Sequence, residues 1–200
     1  MKQHTLFPST EKPNPYKQTE PPQKFDVIYC DHYPTMKPDE LKEMNVIHLC
    51  ADKCICYMWT TGPQLDVSIE VLKAWGFKYK TIAFVWNKGL INPGYYTLSC
   101  IEICIVGTRN AIPKPRGTRN EHQYLSRPRE RHSAKPTEFI ERITRMHPEQ
   151  DKLELFSRRA HQGWHCWGHD AKGEGAVTIP RLENNNTPDI VQNVLWPLPF

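Results

Sequence analysis

The residues best suited to chemistry in this chain of 200 residues fall into a few groups. Seven cysteines draw attention first, with Cys50, Cys54 and Cys56 close together and Cys100 and Cys104 four apart. A structural zinc site needs two close pairs, usually set on turns. Cys54 and Cys56 instead share one face of an apolar run, as do Cys100 and Cys104, so they read as small buried hydrophobes. No Gly-rich phosphate loop is present: Gly62 and Gly76 lie far apart and no Gly-Lys-Ser/Thr occurs, so nucleoside-triphosphate hydrolysis has no support. Aromatic rings near cations form another group. Trp59-Thr60-Thr61 closes an apolar run, and Tyr95-Tyr96 follow Lys88. Such rings either pack in a core or stack on a nucleobase, where each stack contributes about 1–3 kcal/mol.

Charge adds a further pattern. The formal net charge of +4 hides a block: residues 109–159 carry 13 Lys/Arg against 7 Asp/Glu, while 1–108 hold 11 of each and 160–200 hold 2 against 4. A basic block in an otherwise balanced chain fits a polyanion, most often nucleic acid, or a solvated face. Arg109, Lys114, Arg116, Arg119, Arg127, Arg129 and Arg131 lie in a Pro-rich connection without periodicity. They make a phosphate-tracking loop on one reading and a solvated loop on the other.

These residues need elements to position them. Residues 1–23 read as a flexible Pro-rich arm, with prolines at 8, 13, 15, 21 and 22, and 171–200 as a loosely ordered tail with the polar run Asn184-Asn185-Asn186. The folded part is 24–170. Phe25–Cys30 is a short apolar strand, and Pro38–Leu49 a helix with Pro38, Asp39 and Glu40 in its first turn. Lys53–Trp59 reads as a strand buried on both faces. Pro63–Trp75 has Leu65, Ile69, Val71 and Leu72 at helical spacing and stops at Gly76. Phe77–Trp86 and Cys100–Gly107 are strands, Lys135-Pro136 opens a helix carrying Phe139, Ile140, Ile143 and Met146, and Lys152–Phe156 is a last strand. This alternation predicts an α/β, Rossmann-like fold with a mainly parallel sheet and helices on both faces. Ligands then sit at the C-terminal strand ends, just after Cys30, Trp59, Trp86 and Phe156. No run of about 18 apolar residues occurs, and the N-terminus has no apolar h-region. With the odd cysteine count, the expectation is a cytoplasmic protein with reduced thiols.

Three sets of segments, in order, resemble a known family. They are Asp26-Val27-Ile28-Tyr29-Cys30-Asp31 with His32-Tyr33-Pro34-Thr35-Met36; Val85-Trp86-Asn87-Lys88 with Glu102-Ile103-Cys104-Ile105-Val106-Gly107; and Arg131-His132-Ser133-Ala134-Lys135-Pro136 with Leu153–Arg158 and Gly163-Trp164-His165-Cys166-Trp167-Gly168. Together they look like the adenine-N6 methyltransferases of the MT-A type, whose short bacterial, phage and plasmid members are most similar. The resemblance implies S-adenosylmethionine as cofactor and the exocyclic N6 amine of adenine, in DNA rather than RNA, as methyl acceptor. That amine is a poor nucleophile. The family's Asp-Pro-Pro-Trp motif holds it: the Asp and a Pro carbonyl accept its protons and the aromatic stacks on the base, an effect mainly of orientation. The base must first leave its stack. With such a substrate, the basic block reads as phosphate contact. Lys88, Tyr95, Tyr96, Arg116, Arg119 and Arg129 become the expected nucleic-acid residues.

The resemblance makes Asp31 the catalytic acid. Pro-Pro-Trp and a loop should follow it, but Asp31 runs directly into His32-Tyr33-Pro34. Either the loop is deleted, or Asp31-His32-Tyr33-Pro34 is a degenerate motif in which Tyr33 replaces the stacking aromatic. The catalytic expectation is therefore Asp31 and Tyr33, with activity depressed by the missing loop; the alternative is an inactive methyltransferase fold that still binds DNA or cofactor. By the same resemblance, Lys135, Phe156 and Arg158 line the cofactor, and His169-Asp170 stands where the family has Asn and an acid or amide. Asp170 can still accept from ribose hydroxyls; a histidine replaces the amide only partly. Lastly, Gln3-His4-Thr5-Leu6-Phe7 resembles the Gln-x-x-Leu-Phe peptide that docks on the bacterial sliding clamp through Gln3, Leu6 and Phe7.

Overall fold

A computed structural model describes residues 23–31, 36–94, 96–129, 134–157 and 161–167. The arm, the tail, Tyr33, Tyr95, Arg131, Arg158, His169, Asp170 and the clamp-like peptide with Gln3, Leu6 and Phe7 lie outside the described residues.

Among the described residues seven strands form one sheet: β1 (Phe25–Cys30), β2 (Cys50–Thr60), β3 (Lys78–Asn92), β4 (Ser99–Arg109), β5 (Tyr124–Ser126), β6 (Lys152–Leu155) and β7 (His165–Trp167), in the order β5-β3-β4-β2-β1-β6-β7. β1 pairs in parallel with β2 and β6, β6 with β7, and β3 with β5; β4 runs antiparallel between β2 and β3. The sheet is thus mixed and mostly parallel, as expected. The chain winds outward from β1 through β2 on one side and from β6 to β7 on the other. The β1/β6 boundary is therefore where strand order reverses, the place at which open α/β sheets hold ligands.

Among the described residues three α-helices cover the sheet: α1 (Pro38–Glu43), α2 (Leu65–Ala74) and α3 (Thr137–Met146). α1 begins at Pro38 with Asp39 and Glu40 in its first turn, and Glu40 Oε2 accepts the Lys37 backbone N–H at 2.9 Å. The single helix expected to Leu49 ends instead at Glu43. Met44 and Asn45 leave helical geometry, and a short 3-10 turn follows at Val46–Leu49. Asn and β-branched Val and Ile are weak helix formers, and they sit where the chain must turn into β2. α2 stops where Gly76 takes a φ of +83°. A Cβ there would lie 2.7 Å from Ile47 Cδ1, so glycine also lets the 3-10 turn close on the helix end.

Buried residues fall into two clusters, one on each sheet face. One holds Phe25, Ile28, Cys30, Cys54, Cys56, Met58, Leu72 and Trp75 beneath α1 and α2. The other holds Val27, Tyr29, Tyr57, Trp59, Phe84, Cys104, Phe139 and Ile143 beneath α3. Cys54 and Cys56 do share a buried face, and all seven thiols are unpaired by disulfide. Burial pushes the Cys56 and Cys104 thiols well up, so they behave as the small hydrophobes expected. β3 and β4 extend beyond the expected limits, β3 as far as Asn92, into a hairpin. The three-residue edge strands β5 and β7 are too short for a periodicity signal.

Candidate functional site

Asp31 directly follows β1 at the strand-order reversal. Its Oδ1 takes Lys135 Nζ at 2.6 Å. Lys135 comes from the chain entering α3, and the same ammonium reaches Glu102 Oε2 at 3.1 Å. Glu102 Oε1 in turn takes Lys88 Nζ at 2.9 Å. Two ammoniums and two carboxylates thus alternate from β3 through β4 and the α3 entry to the end of β1. The side chains are 12%, 18%, 8% and 24% exposed, in the order Lys88, Glu102, Lys135 and Asp31, so water screens the set only partly. Lys135 Nζ also lies 5.4 Å from the centre of the Trp59 ring, within cation–π range. The Trp59 indole N–H donates to Tyr29 Oη at 2.7 Å, and its ring packs edge-on against Phe139 at 4.8 Å. Trp59 therefore serves as core and as the floor under Lys135.

The electrostatics follow from this alternation. Burial alone would lower the Lys135 proton affinity; the Asp31 and Glu102 carboxylates outweigh it and hold the group above the ordinary lysine value. Burial likewise works against the charged Glu102, and Lys135 with Lys88 reverses it, leaving the carboxyl below its usual range. The Tyr29 phenol is pushed well up, first by burial and then by the Asp31 and Glu154 carboxylates. An ammonium has three N–H bonds. Among the described residues, carboxylates take two of those of Lys135, so one donor is left for a ligand.

The end of β6 forms the other half of the site. Glu154 lies opposite Tyr29 in the β1–β6 register and is buried. Its Oε2 accepts Ser157 Oγ–H at 2.9 Å and lies 3.4 Å from His161 Nε2. Phe156 follows with a φ of +62°, a left-handed conformation that costs a non-glycine residue of order 1–3 kcal/mol and recurs at ligand sites. The residue is 5% exposed and its ring meets Trp167 edge-on at 5.4 Å, so it packs in the core at the strand end where the cofactor was expected. A cavity of about 270 Å³ opens on the other sheet face, between α1 and α2, bounded by Cys30, Met36, Leu41, Met58, Val71 and Trp75.

The expected nucleic-acid residues are not brought together. Lys88 is turned inward onto Glu102. Tyr96 is 99% exposed on the β3–β4 hairpin. Arg129 is exposed on the chain leaving β5, at the same end of the sheet as Asp31. Arg116 and Arg119 lie at the opposite end: the Gly117 and Thr118 N–H groups donate to the Met146 and Arg145 carbonyls where α3 finishes. Much of the basic block ties β5 and its connections to α3. Arg127 pairs with Glu138, Arg145 grips Glu121 at 2.7 and 3.0 Å, and Arg142 Nη1 donates to the His122 carbonyl at 2.6 Å.

Sequence reasoning did not single out Glu102 or Glu154. Each had a signal. Glu102 is in phase with buried Cys104 and Val106 on β4, and Glu154 sits between Leu153 and Leu155 in a strand buried on both faces. A carboxylate at a core-facing strand position needs a partner, and so marks a site.

The sequence pattern of the MT-A70 family matches residues 19–170. The Type II methyltransferase M.MunI of Mycoplasma sp is 51% identical over 148 residues, which cover 74% of this chain and 63% of M.MunI. The N(6)-adenosine-methyltransferase MT-A70-like protein of Arabidopsis thaliana is 32% identical over 153 residues, 70% of this chain and 22% of the plant protein. The N(6)-adenosine-methyltransferase catalytic subunit METTL3 of Homo sapiens is 26% identical over 153 residues, 70% of this chain and 26% of the human one. The chain thus spans less than two thirds of the length of each of these relatives.

Proposed function

This chain belongs to the MT-A70 family, and on that premise we propose that it binds S-adenosylmethionine at the β1/β6 boundary and directs its methyl group to the N6 amine of adenine in DNA, at a rate far below that of relatives with an intact loop. The observation that carries the reading is the Asp31–Lys135 pair, 2.6 Å apart at the strand-order reversal. The donor set suits this cofactor. Its amino-acid end carries a carboxylate and an ammonium, and the site offers a cation and an anion side by side, with one Lys135 N–H left over. The cofactor supplies an electrophilic methyl; the chain binds, orients and removes a proton. Asp31 is the acceptor for an amine proton, through an oxygen not held by Lys135. DNA is favoured over RNA because the relative with the highest coverage of its own length here, M.MunI, is a Type II methyltransferase. A bacterial cytoplasm follows from the same reading.

The slow rate follows from what surrounds Asp31. Only four residues separate Asp31 from Met36, so no Pro-Pro-Trp stands after the acid. Losing a base-stacking partner costs about 1–3 kcal/mol, and losing one pre-organised hydrogen bond about 2.7–4 kcal/mol. Together these amount to roughly a thousand- to a hundred-thousand-fold in rate. The test is transfer of labelled methyl to adenine-containing DNA by the intact chain and by a variant with a relative's Pro-Pro-Trp loop inserted after Asp31. Transfer rising at least a thousandfold in the graft supports the reading. Several turnovers per minute by the unaltered chain, abolished by Asp31→Ala, would establish Asp31-His32-Tyr33-Pro34 as a working motif instead.

A further inference from the structure

The alternating charges around Lys135 give a role to a residue that the proposed chemistry does not use. We propose that Glu102 is a positioning residue: gripped at Oε1 by Lys88, it holds the Lys135 ammonium with Oε2, so that Asp31 is not the ammonium's only counter-ion. The inference rests on the proposed cofactor site for its consequence, but its geometry stands in the protein alone.

Mounting and charge both support it. Glu102 sits on β4, with Trp86 of β3 opposite it, in ladders that continue through Cys104 to β2. Its backbone is therefore fixed. Lys135 precedes α3 on a connecting segment and reaches in on a long flexible stem. A fixed carboxylate thus sets where a flexible ammonium rests, as rigid elements do for site residues. The cost of placing Glu102 in phase with Cys104 and Val106 is offset by two cations, at 2.9 and 3.1 Å. Without Glu102, Asp31 is the sole counter-ion of Lys135, and no second carboxylate fixes where the flexible ammonium rests. With Glu102 present, the ammonium is shared and its third N–H stays at a defined place. Lys88 closes the far end and keeps Glu102 ionised.

Two substitutions pull the set in different directions. Glu102→Gln keeps the shape and removes the charge; Lys88→Met leaves the charge of Glu102 on Lys135 alone. The first readout is the exchange rate of the Lys135 ammonium protons with water, followed by lysine-selective NMR at pH 7 on the protein without cofactor. Glu102→Gln should accelerate exchange at least tenfold, and Lys88→Met should leave it within about threefold of the parent. Lys88→Met should also bring the Glu102 carboxyl back toward the ordinary glutamate range in a carboxyl ¹³C titration, a measurement that holds even if Glu102→Gln fails to fold. Equal acceleration in both variants, no acceleration in Glu102→Gln, or an unmoved Glu102 titration overturns the role. The second readout is calorimetry with S-adenosylmethionine, where Glu102→Gln should weaken binding about tenfold. If the parent chain gives no heat while the exchange contrast holds, the positioning role survives and the cofactor reading fails.

Discussion

Two lysines drawn inward at opposite ends of the sheet have opposite fates. Lys135, at the C-terminal strand ends, meets two carboxylates and binds its proton more tightly than an ordinary lysine. Lys152, at the start of β6, is 4% exposed and donates to the His147 and Gln150 carbonyls at 3.0 and 2.6 Å. There burial outweighs the pull of Asp151 and Asp26, and its proton is held less tightly. His147 shares that end. It is wholly buried, its Nε2 lies 3.0 Å from Tyr57 Oη, and burial followed by the Arg116 and Lys152 charges pushes its pKa down to about 4. The C-terminal end thus holds charge in ion pairs. The N-terminal end closes its polar groups mostly on neutral acceptors and serves the fold.

The largest effect expected from this contrast comes from Lys135→Met. It leaves Asp31 and Glu102 facing each other without their shared cation; breaking a fully buried pair costs about 3–5 kcal/mol, an upper bound for this partly screened set. Urea unfolding at pH 7 measures it, and a loss under 1 kcal/mol would place the set in effectively free solvent.

The opposite end should show itself in acid. Folded His147 takes up its proton near pH 4, and an unfolded histidine near 6.5. Between those values the unfolded chain binds more protons. The contribution is therefore complete above about pH 6.5 and is lost as the pH falls toward 4, by about 3 kcal/mol in all. His147→Gln should remove that part of the pH dependence, as read from unfolding midpoints between pH 7 and 4. An unchanged slope would mean that His147 is hydrated in the native state. Lys152→Met comes next. It strands two buried carbonyls, a loss of about 1–3 kcal/mol, and should leave cofactor binding untouched.

The strand–helix order and both core faces were legible in the sequence because they rest on hydrophobic spacing, which is local. So was the placing of Asp31 after β1 and of Lys135 before α3, carried by motif order. The Lys88–Glu102–Lys135–Asp31 alternation was not legible. It joins residues up to 104 positions apart, through pairings that no local pattern encodes. The pairings inside the basic block were hidden for the same reason: Arg127, Arg142 and Arg145 join α3 to the β5 connection through contacts that charge counting does not show. The helix break at Met44-Asn45 was visible only as weak propensity, and the turn into β2 decided it.

The smallest effects divide the arginines by end. Arg129→Ala, at the same end of the sheet as Asp31, should weaken DNA binding a few-fold and reduce the salt slope by about one. Arg119→Ala, at the far end, should change neither. A mobility shift across a salt series separates them, and equal losses would mean that DNA spans both ends of the sheet.

The central claim is that Lys135 anchors a cofactor where β1 meets β6. Calorimetric titration of S-adenosylmethionine into the intact chain and into the Lys135→Met variant, under conditions where both are folded, tests it most directly. The account predicts saturable heat from the parent and at least a tenfold weaker response from the variant. No heat from the parent at millimolar ligand, or equal heat from the two proteins, would contradict it.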